Sequence, residues 1–354
     1  MGEYAFQPDV ELQDMGEYKA VPKMYGMPGR TARKFNTPIT PKENFLRMAR
    51  KEKPLWIPNV SAEFNNIQPM CMPDAEARCH GGIDWFGIEW EYEPRSNAAM
   101  VKPGTRRLSD ITNWREELVW PDLQAIDWKK NYEEVYAPVM EPDRPTNFAI
   151  VNGCFERLGD LTNFADCLVY LIEEEDEVNA LFEKFTDMHI ELMKIAKEVY
   201  GADLITFHDD MGTQRSTFMS PNMFREIMLP HYKRMNQAAH DMGLYVNYHS
   251  CGCVGTLIPY YIEAGFDFWE GQDNCNNKKE LLDKYGDQMG QLSVYTPNPN
   301  CSDEEYIAQI ENNIKTLGAS GRYLCWYVPT KPDCKLDAAE AIYVTGRKLM
   351  CGEA

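Results

Sequence analysis

The run Tyr248-His249-Ser250-Cys251-Gly252 carries the sharpest chemical signal in the chain. Extended backbone sends residues two apart to the same side, so the His249 imidazole and the Cys251 sulfur can converge on one ion. Gly252 then lets the chain turn away without placing a side chain in that space. Cys325 ends another β-like run and supplies a third soft ligand. A His/Cys/Cys set with one position open is a catalytic zinc arrangement, because structural zinc sites close with four protein ligands. Cys253 competes for the role of Cys251, but an offset of four along an extended chain carries it farther from His249.

Other polar residues stand where β-like runs end. Glu270, within Phe268-Trp269-Glu270-Gly271, can fill the fourth zinc position at rest, with Asp273 as the alternative. His208-Asp209-Asp210 closes a further run. Its acids can bind a substrate hydroxyl, orient a ligating histidine or relay a proton. Asn59, Glu89, Glu91, Asn152 and Tyr295 complete the polar set. Asn59, Trp269, Tyr295 and Trp326 are the expected substrate-binding groups, the last three offering flat apolar walls.

These residues need elements that hold them together. Eight β-like runs are expected: Leu55 to Val60, Trp85 to Tyr92, Phe148 to Gly153, Leu204 to Asp209, Leu244 to His249, Phe266 to Glu270, Gln291 to Thr296 and Tyr323 to Val328. Helical stretches alternate with them. One begins at Ser220-Pro221, an N-cap and first-turn proline, and stops at Gly243; another runs through Leu181 and Phe185 to Gly201. No dinucleotide-type or phosphate-binding glycine loop occurs, so the pattern predicts an α/β fold, a single (β/α)8 barrel, rather than an open doubly wound sheet. Residues 1–40 read as an N-terminal arm and 41–354 as the barrel domain, with a helical insertion after the second strand. Barrel active sites gather at the C-terminal ends of the strands, where the residues above stand.

With 36 basic and 55 acidic residues the 354-residue chain has a formal charge of −19, and no basic patch offsets it, which argues against a nucleic-acid partner. No run of 18 apolar residues exists, and the first residues lack the basic and apolar regions of a signal peptide, so no membrane partner is expected. Eleven cysteines in a chain too large to need disulfide staples suit a reducing, cytoplasmic setting.

The run His208-Asp209-Asp210-Met211-Gly212, with Ser220-Pro221, Phe224, Pro230, His249-Ser250-Cys251-Gly252, Ala264-Gly265-Phe266-Asp267 and Cys325, resembles the uroporphyrinogen decarboxylase superfamily, and within it the cobalamin-dependent methyltransferase branch. The similarity spans roughly residues 40–350. The true decarboxylases carry an arginine-rich segment after the first strand; here that stretch reads Pro58-Asn59-Val60-Ser61-Ala62-Glu63-Phe64, which argues against porphyrin decarboxylation. The resemblance implies zinc on His249, Cys251 and Cys325, and a corrinoid protein that presents cobalamin at the barrel mouth. It implies methyl transfer between a small methylated substrate and cobalt, with an aryl methyl ether as the leading donor. A methylcobalamin:thiol methyltransferase and a metal-free lyase are the alternatives. Relatives that methylate thiols commonly read His-Ile-Cys-Gly-Asn where this chain has His-Ser-Cys-Gly-Cys. A homodimer is one assembly open to the chain.

Overall fold

The computed structural model describes every residue except 1–3, 23, 25–27, 96–97, 273 and 354. Strands are numbered in chain order: β1 Asp14–Tyr18, β2 Ala32–Phe35, β3 Asn65–Ile67, β4 Gly82–Ile83, β5 Glu89–Glu93, β6 Ala98–Val101, β7 Thr146–Ile150, β8 Leu204–His208, β9 Tyr245–His249, β10 Phe268–Glu270, β11 Gly290–Tyr295 and β12 Tyr323–Tyr327. Seven of them form one parallel sheet in the order β12-β11-β10-β9-β8-β7-β3. The sheet curls, and helices surround it, as in a TIM barrel. At the seam between β12 and β3, Asn59 forms a single parallel bridge with Cys325, whose N–H donates to the Pro58 carbonyl at 3.0 Å. A short helix, Val60–Glu63, then leads into β3.

Two of the expected strands differ. Leu55 to Val60 contributes only that bridge, and Trp85 to Tyr92 is no barrel strand at all. Its second half is β5, the middle of an antiparallel sheet β4-β5-β6 outside the barrel. The physical reason is visible in burial. Phe86, Ile88 and Trp90 are buried while Gly87, Glu89 and Glu91 are exposed, the alternation of a half-solvated sheet. Barrel strands such as β7 and β8 are buried at every position. Glu89 and Glu91 therefore stand away from the rim. The place of the second strand belongs to β3, and the insertion after it carries this small sheet as well as short helices.

Inside the barrel, Ala149, Leu204, Phe268, Leu292 and Leu324 pack together, and Phe45 of the helix Pro41–Ala49 closes that layer against Phe64, Tyr245 and Phe268. A belt of polar side chains crosses the same interior. Asn147 Nδ2 donates to Asn66 Oδ1, Thr206 Oγ1 to Asn147 Oδ1, and Asn247 Nδ2 to Glu270 Oε2, at 3.1, 2.9 and 3.1 Å. These bonds link the side chains across the interior, with Asn247 Oδ1 left unpartnered among the described residues, and the belt fixes the rotamers beneath the site.

The predicted helices form. Ser220 Oγ accepts from the Met223 N–H at 3.2 Å, and a π-turn over Phe224–Met228 precedes Leu229–Asp241, where Pro230 lacks an amide proton. The helix Glu175–Tyr200 ends at Gly201 with φ +65°. In the arm, β1 pairs with β2, and buried Glu11 accepts from Arg347 at 2.7 and 2.8 Å, tying the arm to the last helix, Ala338–Cys351. Among the described residues no helix is long and apolar enough to cross a membrane.

Candidate metal centre at the barrel mouth

His208 and His249 are register partners at the C-terminal ends of β8 and β9, so both side chains face the same way. Asp210 follows two residues after His208 and returns to that side. His208 Nε2 and His249 Nε2 each lie 4.0 Å from Asp210 Oδ1. One ligand atom from each of the three residues falls within 4.8 Å of the others, a spacing that one cation can share. Cys251 Sγ lies 3.4 Å from His249 Nε2, on the same side of the strand.

The loops that present these groups are locked against each other. The Cys251 N–H donates to Asp210 Oδ1 at 2.6 Å, and the Met211 N–H donates to Ser250 Oγ at 3.0 Å. Gly252 has φ +94°, and a Cβ there would come within 2.3 Å of the Gly212 carbonyl carbon. The turn after β9 therefore requires glycine both for its conformation and for its closeness to the turn after β8.

Carboxylates stand behind both rings. His208 Nδ1 lies 2.7 Å from Glu156 Oε2, and His249 Nδ1 lies 3.1 Å from Glu270 Oε1. Burial pushes the Glu156 carboxyl up, but His208 and Arg78 outweigh it and hold it down at about 2. Burial likewise opposes ionisation of Glu270, yet His249 and the Asn247 amide keep it below the usual carboxylate range. Burial disfavours the His249 imidazolium, and the Glu270 charge with the Cys251 contact overcomes this and raises its pKa well above the ordinary value. The arrangement is a pair of imidazoles with fixed orientation and a concentration of negative charge around them. That is the donor chemistry of a divalent metal site.

Several expected site residues lie elsewhere, all for one reason. Along β12, Leu324 and Trp326 face the barrel interior, while Tyr323, Cys325 and Tyr327 pack outward with Ile57, Tyr306 and Ile310 beneath the helices. Cys325 is thus not brought to His249 and Cys251. Tyr295, paired with Tyr327, shares that outward face, and its hydroxyl donates to the Gln309 carbonyl at 3.0 Å. Trp269 packs outward in the core with Tyr248 and Phe266, and Lys278 Nζ stands 5.6 Å from its ring centroid. Asp209 points away from the mouth between inward His208 and Asp210. It accepts from the N–H groups of Phe155 and Glu156 at 3.0 and 2.8 Å, and from the Tyr232 hydroxyl at 2.5 Å, so it caps the helix Cys154–Leu161. Asn152, after β7, takes φ +60° and is buried, with no hydrogen bond to its amide.

Asn59 and Trp326 line a cavity of about 360 Å³ at the seam of the barrel. Asp273 lies outside the described residues. Sequence reasoning missed Glu156 and Arg78, which reach the site from the first turn of Cys154–Leu161 and from the insertion helix Pro73–His80, 3.7 Å apart. The acidic residue three positions after Gly153 at a strand exit was the available signal for Glu156.

An α/β barrel with a candidate metal centre at the C-terminal ends of its strands is the class of protein these observations define. Residues 143–315, just under half of the chain, match the family described as uroporphyrinogen decarboxylase (URO-D). Among solved structures the chain is similar to a methyltransferase from Methanosarcina mazei, with a TM-score of 0.63 and 15% identity over 89% of this chain and 99% of that one. It is also similar to a xylose isomerase-like TIM barrel protein from Mycobacterium smegmatis in complex with magnesium, with a TM-score of 0.37 and 10% identity over 67% and 81% of the two chains. At 15% identity the likeness to the methyltransferase concerns the fold. No curated protein matches the chain.

Proposed function

We propose that the chain is a cytoplasmic methyltransferase that moves a methyl group from a small methylated donor to the cobalt of a corrinoid protein. The leading donor is an aryl methyl ether. The observation that carries this reading is the inward-facing set His208, Asp210 and His249, with Cys251 beside it, at the mouth of a URO-D family barrel.

The donor set fits zinc: two imidazoles, one carboxylate and one thiolate are all ligand types that it takes. His208 Nε2, Asp210 Oδ1, His249 Nε2 and Cys251 Sγ would hold it, in place of the set that included Cys325. When bound, zinc supplies a Lewis acid that stabilises charge on the departing heteroatom of the donor. Glu156 and Glu270 stand on the Nδ1 side of each ring, at 2.7 and 3.1 Å, which leaves Nε2 facing the mouth. Asp210, anchored by the Cys251 N–H, keeps its oxygen between the two rings. The polar belt beneath, through Asn247, keeps Glu270 in place.

Mixing the protein with cob(I)alamin and methoxyarenes, and recording the methylcobalamin spectrum, tests the proposal. Formation of methylcobalamin that chelators abolish is the expected result. Methylation of a thiol from methylcobalamin, with no response to methoxyarenes or methylamines, would reverse the direction of transfer. Decarboxylation of a carboxylated substrate indifferent to chelators would replace the proposal with a lyase.

A further inference from the structure

The cavity at the seam stands apart from the histidine pair in the fold: it lies where β12 meets β3, whereas β9, which carries His249, is the middle strand of the seven. Its apolar wall includes Phe64 and Trp326, and its polar wall includes Asn59 and Asn66. Its volume, about 360 Å³, is that of a site for a small organic molecule.

Its charge is the unusual feature. In a chain of net charge −19, three arginines line this cavity, Arg30, Arg33 and Arg144, against one carboxylate, Asp337. Arg33 is answered by Asp337 and Glu340, each at 2.7 Å. Among the described residues no carboxylate forms an ion pair with Arg144. It is 3% exposed, with one face against the Tyr18 ring at 4.9 Å, and among the described residues its Nη atoms donate only to the carbonyls of Lys19 and Phe64. Its Nε is buried without a hydrogen-bond partner. The neighbouring carboxylates are engaged elsewhere: Glu141 pairs with Lys34, and Glu63 accepts from the Trp56 indole and the Asn59 N–H. Burial pulls the guanidinium pKa down to about 10 and outweighs the opposing influence of Tyr18, Glu141 and Glu63, though the group stays charged at neutral pH. A buried guanidinium is costly without an anion, and its planar fork matches a carboxylate.

We propose that this cavity binds a small organic carboxylate whose flat apolar body lies against Phe64 and Trp326 and whose carboxylate pairs with Arg144. The assignment rests on the cavity alone and does not depend on methyl transfer.

Benzoate and its neutral analogue benzamide serve as probes, titrated calorimetrically into the full-length protein at neutral pH. Benzoate is expected to bind at least about tenfold more tightly than benzamide, the margin of a charge-assisted pair. Arg144→Met is expected to erase that margin. Because Arg144 also holds two carbonyls, Ala62→Phe provides a second variant: it fills the cavity from the helix Val60–Glu63, leaves the guanidinium in place, and is expected to abolish benzoate binding without lowering the melting temperature. Equal binding of the two probes, no binding of benzoate at millimolar concentration, or unchanged binding in the folded Ala62→Phe protein would overturn the assignment. Benzoate binding without any methylcobalamin formation would leave it standing and remove only the transferase reading.

Discussion

The His208 and His249 rings stack face to face, with centroids 4.2 Å apart and planes inclined by 11°. Adjacent parallel strands in register force this arrangement, since the two residues are paired across β8 and β9. Two imidazolium cations would repel at this separation, yet Glu156, Glu270 and Asp210 surround them with three carboxylates. A divalent cation on the Nε2 side would relieve both problems: the rings would bind it in neutral form, and it would offset the excess of negative charge.

His208→Ala, His249→Ala and Asp210→Asn should each lose bound zinc, measured by atomic emission on purified protein. Cys325→Ala should keep it, because that sulfur faces the helix layer, and should cost only about 1 kcal/mol of stability as a small core truncation.

Glu270→Gln and Glu156→Gln keep the shape of the groups behind the rings but remove their charge. Zinc affinity, measured by chelator competition, should fall about 10–100-fold in each, as expected for partners that orient a ligating imidazole. Unchanged affinity would mean that the two carboxylates act only in packing.

Zinc binding should strengthen as pH rises. His249 in the metal-free protein holds its proton to a pH well above the ordinary imidazole value, and that proton must leave before Nε2 can bind metal. Below the raised pKa, each pH unit should therefore improve affinity by up to about tenfold for this one proton.

Glu63 offers a test of the fold away from the mouth. Burial raises its carboxyl from 4.5 to about 7, against hydrogen bonds from the Asn59 N–H and Trp56. The folded chain therefore holds this proton more tightly than the unfolded chain does, and stability falls as pH rises from about 4.5 to about 7. Glu63→Gln should remove this contribution, so its melting temperature should drop less across that window than that of the wild type, by an amount equivalent to about 1–3 kcal/mol. An identical drop in both proteins would contradict the assignment.

The barrel was legible because six of its strands are continuous β-like runs between long amphipathic helices. His208, Asp210, His249 and Cys251 were legible because polar groups at strand ends declare which way they face. Cys325 misled for the converse reason. In Tyr323-Leu324-Cys325-Trp326-Tyr327 both faces are buried, one in the barrel and one under helices, so nothing in the residue types reveals the phase of the alternation. Trp269 failed in the same way. The second strand was hidden because β3 is three residues long and begins Asn65-Asn66; the Asn66 amide serves the interior polar belt, and the Asn65 amide ties β3 to the segment before β7. Arg78 reaches Glu156 from the insertion, a contact that no local spacing encodes.

The most direct measurement is anomalous diffraction at the zinc edge from crystals of the full-length protein grown with zinc. A single strong peak is predicted between β8 and β9, at about 2.0–2.3 Å from His208 Nε2, His249 Nε2 and an Asp210 oxygen. A peak bonded to Cys325, or none near the two stacked rings, would contradict the account.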